Sequence, residues 1–185
     1  MSRMSRKESH AQTRERLIAT AHRLFLTDGY NATSLTAVAD EAGFTKGAVY
    51  SNFATKHELG LAVVDLLHEE RATSLAESMA AADSVAGVLA AFERWAEQHI
   101  GDVGWTAMEV ELATSTRMIP GVGQELAARR RELTSMLGAM LEHQAGLLGL
   151  RLPVPPEDAA VQLLAMGIGL GVQRAFDPEL PITAL

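Results

Sequence analysis

The sequence contains no cysteine. That absence removes a disulfide framework, a thiolate metal site and a cysteine nucleophile together, and it suits a reducing cytoplasm. Long hydrophobic runs are missing as well. The longest uncharged apolar stretch, LLAMGIGLGV at 163–172, is well short of the roughly 20 residues that span a bilayer. The opening MSRMSRKESHAQ carries charge but no apolar segment, so no secretory signal is expected. Catalytic signatures are also lacking: no serine nucleophile elbow, P-loop, HExxH pair or carboxylate constellation is visible. The six histidines lack metal-ligand spacing. No enzymatic activity, cofactor or metal is therefore expected.

What remains is ordinary for a globular chain. Its 185 residues are 48% hydrophobic and 21% charged, enough for one sizeable core or for a small domain joined to a larger one. Net charge is −7 but unevenly spread. Residues 1–60 hold eight Lys/Arg against six Asp/Glu, a net +2, while the remainder carries −9. Only the first segment would attract a polyanion.

No alternating strand pattern occurs, and 3.6-residue spacing recurs almost throughout, so the chain reads as all-α. In TRERLIATAHRLFLTDGY, Leu17, Ala21, Leu24 and Phe25 share a face and Gly29 stops the helix. In SLTAVADEAG, Leu35, Val38, Ala39 and Ala42 follow the i, i+3, i+4, i+7 pattern with Ser34 placed as N-cap. Gly43 breaks the run. Thr45 is placed to cap a short helix ending near Phe53, with Phe44 packing on Val49 as a hydrophobic staple. Thr55-Lys56-His57-Glu58 reads as a capping box that opens a longer helix.

Residues 34–53 thus outline a helix, a glycine-containing turn and a second short helix, which is a helix-turn-helix. Ala39 and Ala42 are small where the two helices cross, and Val49 and Phe53 seat the second on the first. The outward face of the second helix then carries Lys46, Gly47, Ala48, Ser51 and Asn52. Its two small residues let it approach the floor of a major groove, ringed by hydroxyl, amide and cationic groups for phosphates. A plain capped helix with a polar face is the other reading of the same composition.

Residues 14–59, RERLIATAHRLFLTDGYNATSLTAVADEAGFTKGAVYSNFATKHEL, resemble the TetR/AcrR family of bacterial transcriptional regulators. The resemblance is carried by the LF then GYxATS approach and by the core AxxAGxTKGxxYxxFxxKxxL, and it covers about a quarter of the chain. The rest is similar to the family only in helix content and length. The resemblance implies a homodimer that places one recognition helix per subunit in successive major grooves of a near-palindromic double-stranded DNA operator. It implies phosphate contacts by Thr33, Ser34, Thr45, Tyr50, Asn52 and Lys56, and base-edge contacts by Lys46, Gly47, Ala48 and Ser51. One departure is Asn52, where many members have His. The expected function is a bacterial, cytoplasmic repressor, nucleoid-associated when on DNA and released from it by a small-molecule ligand. A DNA-binding protein of the same fold acting without an inducer is the alternative.

The expected organisation is a flexible basic arm over 1–12 (Arg3, Arg6, Lys7), a helix-turn-helix domain over 13–56, and a ligand-binding and dimerisation bundle over 57–185. In the bundle, Phe92, Trp95, His99, Trp105, Met108, Leu112 and Met118 are candidates to line a ligand pocket, since Met and Trp on apolar stripes leave adaptable space. Glu109 and Glu111 beside those aromatics would suit a cationic ligand. A second stripe, Leu133, Leu137, Met140 and Leu141, contains Arg130, which needs a partner and suggests a salt bridge at a subunit interface. Gly167 and Gly171, one turn apart and flanked by Leu163 and Leu170, permit close helix approach in the last long helix. The resemblance implies that this helix and the one before it pair with their copies as a four-helix bundle. No membrane partner is expected.

Overall fold

The computed structural model describes residues 6–181, with the side chains of Arg6 and Lys7, like Arg3 of the expected arm, outside the described part. The regular structure of those residues is eight helices, with no strand among them. They are α1 (Arg6–Thr27), α2 (Leu35–Ala42), α3 (Lys46–Asn52), α4 (Lys56–Met79), α5 (Val85–His99), α6 (Val103–Thr116), α7 (Val122–Leu147) and α8 (Pro156–Arg174). Helix α1 begins at Arg6, inside the stretch read as a flexible arm.

Local chemistry sets most of these boundaries. Ser34 Oγ accepts from the Ala37 amide, and Gly43 closes α2 in the left-handed region at φ 72°. Thr45 Oγ1 accepts from the Ala48 amide at the start of α3. At α4, Thr55 Oγ1 accepts from the Glu58 amide while the Glu58 carboxylate accepts from the Ala54 amide, a reciprocal cap. Ser84 caps α5, and Pro156 opens α8, where a missing N–H costs nothing.

The described residues fall into two compact units. The first holds the chain up to Leu66 together with Ala107–Gly123; the second holds Leu67–Thr106 and the chain from Gln124 onward. In the first, α1, α2 and α3 pack on one another, and Leu17, Ala21, Phe25, Val38, Ala39, Val49 and Phe53 are all buried. Fully burying one such aliphatic or aromatic side chain contributes about 1.5–3 kcal/mol. Gly60 of α4 marks the tightest approach here. A Cβ there would stand 2.8 Å from Tyr30 Cε2 and 3.1 Å from Leu112 Cδ1.

The second unit has its own core of Leu75, Met79, Ala91, Trp95, Ala96, Ile100, Leu133, Leu137, Ala160 and Leu170. Met140 and Leu141 pack against it. Within this unit α7 meets α8 closely, since a Cβ on Gly138 would lie 3.1 Å from the Pro156 carbonyl.

Candidate nucleic-acid interface

Helix α3 is polar outside and apolar inside. Val49 and the adjoining Phe53 are 0% exposed, whereas Lys46, Gly47, Tyr50 and Ser51 face solvent. Beside Gly47 nothing but Thr45 Oγ1, at 3.8 Å, would meet an added Cβ, so the middle of this face is flat. Ser51 Oγ donates to the Ala48 carbonyl at 2.9 Å. Ser34 and Thr45 accept helix amides with their hydroxyl oxygens, which leaves each O–H proton to donate outward.

Two arginines from α1 lock the motif from behind. Arg14 Nη1 donates to the Asn52 carbonyl at 3.0 Å, and its guanidinium lies 4.2 Å from the Phe53 ring centroid. Arg16 Nη2 donates to the Ala42 carbonyl at 3.1 Å, with its guanidinium over Phe44 at 4.8 Å. Each answers carbonyls that a helix C-terminus leaves without partners. Arg23 adds an ion pair to Glu41 of α2. Sequence reading missed these roles because 38 and 26 residues separate Arg14 and Arg16 from the carbonyls they cap.

Beside α3 lies a groove of about 450 Å³ bordered by Asn31, Ser34, Thr36, Tyr50, Thr55 and Lys56 among others. Thr33, Ser34, Tyr50 and Lys56 of the expected phosphate set therefore share one concavity. Two of the set are buried and bond to their own backbone. Thr33 is buried, and its hydroxyl donates to the Gly29 carbonyl at 2.9 Å, holding the α1–α2 loop. Asn52 is also buried, its amide nitrogen 2.8 Å from the Ala48 carbonyl, so it stabilises α3 from within. Lys56 is half-buried. Its Nζ donates to the Asn31 carbonyl at 3.1 Å and sits 4.4 Å from the Tyr30 ring centroid. Burial lowers its pKa, and the nearby Glu111 carboxylate opposes that shift.

Residues 17–63, which hold α2, α3 and the start of α4, match the family model for bacterial regulatory proteins of the tetR family. The amino-terminal segment belongs to the tetR family. It is 43% identical over 63 residues to the HTH-type transcriptional regulator TtgR of Pseudomonas putida, covering 34% of this chain and 30% of that protein. The chain thus spans under a third of that relative's length. Among solved structures, a transcriptional regulator from Rhodococcus sp. RHA1 superimposes with a TM-score of 0.77 at 18% identity, covering 90% of this chain and 86% of that one. A regulator from Saccharomonospora viridis, solved in complex with choline, does so with a TM-score of 0.69 at 16% identity, covering 92% and 89%. Those likenesses carry the fold to nearly the whole chain.

The remaining expected site residues are divided between the two units. In the second, Phe92, Trp95 and His99 form a stack, with centroids 6.0 Å and 4.9 Å apart, and His99 Nδ1–H donates to the Trp95 carbonyl at 2.7 Å. Trp105 lies under the Arg71 guanidinium at 4.9 Å, and Arg71 pairs with Asp102 at 3.2 Å. The indole N–H groups of Trp95 and Trp105 are buried and have no hydrogen-bond partner among the described residues. Met108 and Leu112 instead belong to the first unit, fully buried, with Leu112 against Gly60. Met118 is 81% exposed and lines nothing enclosed. Glu111 is no companion of the aromatic stack either, because its carboxylate accepts from the Asn31 amide at 2.7 Å.

The expected interface stripe is similarly turned inward. Leu133, Leu137, Leu170 and Gly171 are buried in their own chain, and Met140 and Leu141 pack on the same core, while Arg130, Leu163 and Gly167 are half-buried. The close approach that the two glycines allow is made within the second unit: a Cβ on Gly171 would meet Thr106 Oγ1 at 2.6 Å, and one on Gly167 would meet Ile100 Cδ1 at 3.8 Å. The apolar side chains left outside are Val161, Met166, Val172 and Phe176 in and just beyond α8, with Met136 and Leu147 on α7. Sequence periodicity could not separate these faces, since both carry aliphatic residues at helical spacing. Among the described residues no helix is long and apolar enough to cross a membrane, and no group of three His, Asp or Glu is placed to hold a metal.

Proposed function

We propose that the protein is a sequence-specific DNA-binding transcriptional regulator, a dimeric repressor released from its operator by a small molecule. The observation that carries this reading is α3, a short capped helix seated by Val49 and Phe53 that offers a flat outward face around Gly47. Lys46 and Ser51 flank that face, and Ser34, Tyr50 and Lys56 border the groove beside it, where a phosphate would lie. A helix of this shape in a major groove reads base edges while the surrounding donors fix its register.

A second copy is proposed to cover the outer face of α7 and α8. Val161, Met166 and Val172 are exposed apolar side chains on α8, and a dimer brings two α3 helices to half-sites about 34–36 Å apart. The proposed ligand site lies in the second unit at the Phe92–Trp95–His99 stack. The unpartnered indole N–H of Trp95 favours a ligand that supplies an acceptor, because buried donors are nearly always paired. A random duplex library offered to the protein tests the reading. Enrichment of a near-palindromic sequence is expected. Recovery of no preferred sequence would overturn it.

A further inference from the structure

Asn31 is held by both of its backbone polar groups. Its N–H donates to Glu111 Oε2 at 2.7 Å, and its carbonyl accepts from Lys56 Nζ at 3.1 Å. The three residues come from different elements, the α1–α2 loop, the first residue of α4 and the middle of α6, and all lie in the first compact unit. The Glu111 carboxylate also fills the space beside Gly29, where an added Cβ would stand 3.4 Å from Oε1. Gly29 itself has φ 93°, a conformation that favours glycine. The loop, the carboxylate and the ammonium thus form one clamp. Asn31 and Lys56 border the groove next to α3. A carboxylate beside a surface meant for phosphates is the wrong charge for a DNA contact, so its place there has another reason.

We propose that Glu111 is a positioning residue for the DNA-binding surface: from α6 it fixes the Asn31 backbone and, through Asn31, holds Lys56 and the lip of the groove in the form that receives a phosphate. The proposal rests on the DNA-binding reading above. Glu111 does not touch the DNA; it acts through the two residues that border the groove.

The test compares Glu111→Ala and Glu111→Gln with the wild type, using fluorescence anisotropy on the duplex that the wild-type protein selects. Positioning and simple repulsion have opposite signs. A positioning role means that Glu111→Ala binds about tenfold more weakly, since a hydrogen bond to a charged acceptor is lost. Glu111→Gln, whose amide oxygen still accepts from Asn31, recovers most of that loss, and the salt dependence stays as in the wild type. A carboxylate that merely repels phosphates gives tighter binding in both variants, and that result, or unchanged affinity, overturns the proposal alone. A wild-type chain that binds no duplex overturns the DNA-binding reading and this proposal with it. Hydrogen exchange gives an answer independent of DNA: the Asn31 amide should exchange faster in Glu111→Ala and remain protected in Glu111→Gln. Unchanged exchange in Glu111→Ala overturns the clamp.

Discussion

The Lys56 ammonium lies over the Tyr30 ring, 4.4 Å from its centroid, while donating to the carbonyl of the next residue, Asn31. One of its three protons is thereby engaged, and the others are free to meet a phosphate in the groove that Lys56 borders. Lys56→Ala should therefore weaken binding to specific and random duplexes alike. The slope of log K against log salt should fall in magnitude by about 0.9. A slope equal to that of the wild type would remove Lys56 from the phosphate contacts and leave it only as a support for the loop.

Tyr30 gives a prediction in alkali. It is buried, edge-on to Phe25 with centroids 5.2 Å apart, and burial pushes its phenol from 10.0 up to about 12. Folding favours the neutral phenol, so this stabilisation is complete below pH 10.0 and is lost as pH rises through about 12. The sequence has two tyrosines, so Tyr50→Phe leaves Tyr30 as the sole reporter. Its tyrosinate absorbance should rise with a midpoint near 12, together with loss of helix. A midpoint near 10.0 in a folded protein would contradict the burial.

Two glycines of the same unit should respond in opposite ways. Gly60→Ala gains about 1 kcal/mol of helix propensity. Its Cβ, however, meets Tyr30 and Leu112 at 2.8 Å and 3.1 Å, and overpacking of that kind costs about 1–3 kcal/mol. Because the Tyr30 ring is confined by Phe25 and Lys56, a net loss of about 1 kcal/mol is expected from chemical denaturation. At Gly47 the space is open. Gly47→Leu should leave stability within about 0.5 kcal/mol. It should nevertheless weaken binding to the selected duplex more than about tenfold by holding α3 off the groove floor. Normal DNA binding by Gly47→Leu would show that this face of α3 is not the one presented.

The contrast between those glycines shows where sequence reading succeeds. Ser34, Gly43, Thr45 and the Thr55–Glu58 pair act through neighbours one turn away, so each left a local signature that fixed the helix boundaries. Val49 and Phe53 were legible as the inner face because spacing on a seven-residue helix leaves little choice. The burial of Thr33 and Asn52 was not legible, for the opposite reason. Their polar groups bond to the backbone nearby, which composition cannot distinguish from a bond to phosphate. Glu111 and Asn31 are 80 residues apart, and no pattern joins them. The buried and exposed stripes of α7 and α8 carry the same aliphatic residues, so only packing separates Leu137 from Met136.

That separation makes the assembly testable. Wild-type protein should have a mass in solution about twice 19.8 kDa. Met166→Arg places a cation among the exposed apolar side chains of α8 and should yield folded monomer by light scattering. Leu137→Ala deletes core volume inside one chain and should cost about 2–5 kcal/mol while leaving the folded mass unchanged. A monomeric Leu137→Ala together with a dimeric Met166→Arg would place the interface on the other face.

The most direct measurement is a dimethyl sulfate footprint of the selected duplex with the wild-type protein bound. The reagent methylates guanine N7 in the major groove and adenine N3 in the minor groove, so it reports which groove α3 occupies. The expected result is protection of guanine N7 in two patches about one helical turn apart, with adenine N3 between them still reactive. Protection confined to adenine N3, or a uniform pattern along the duplex, would contradict major-groove reading by α3.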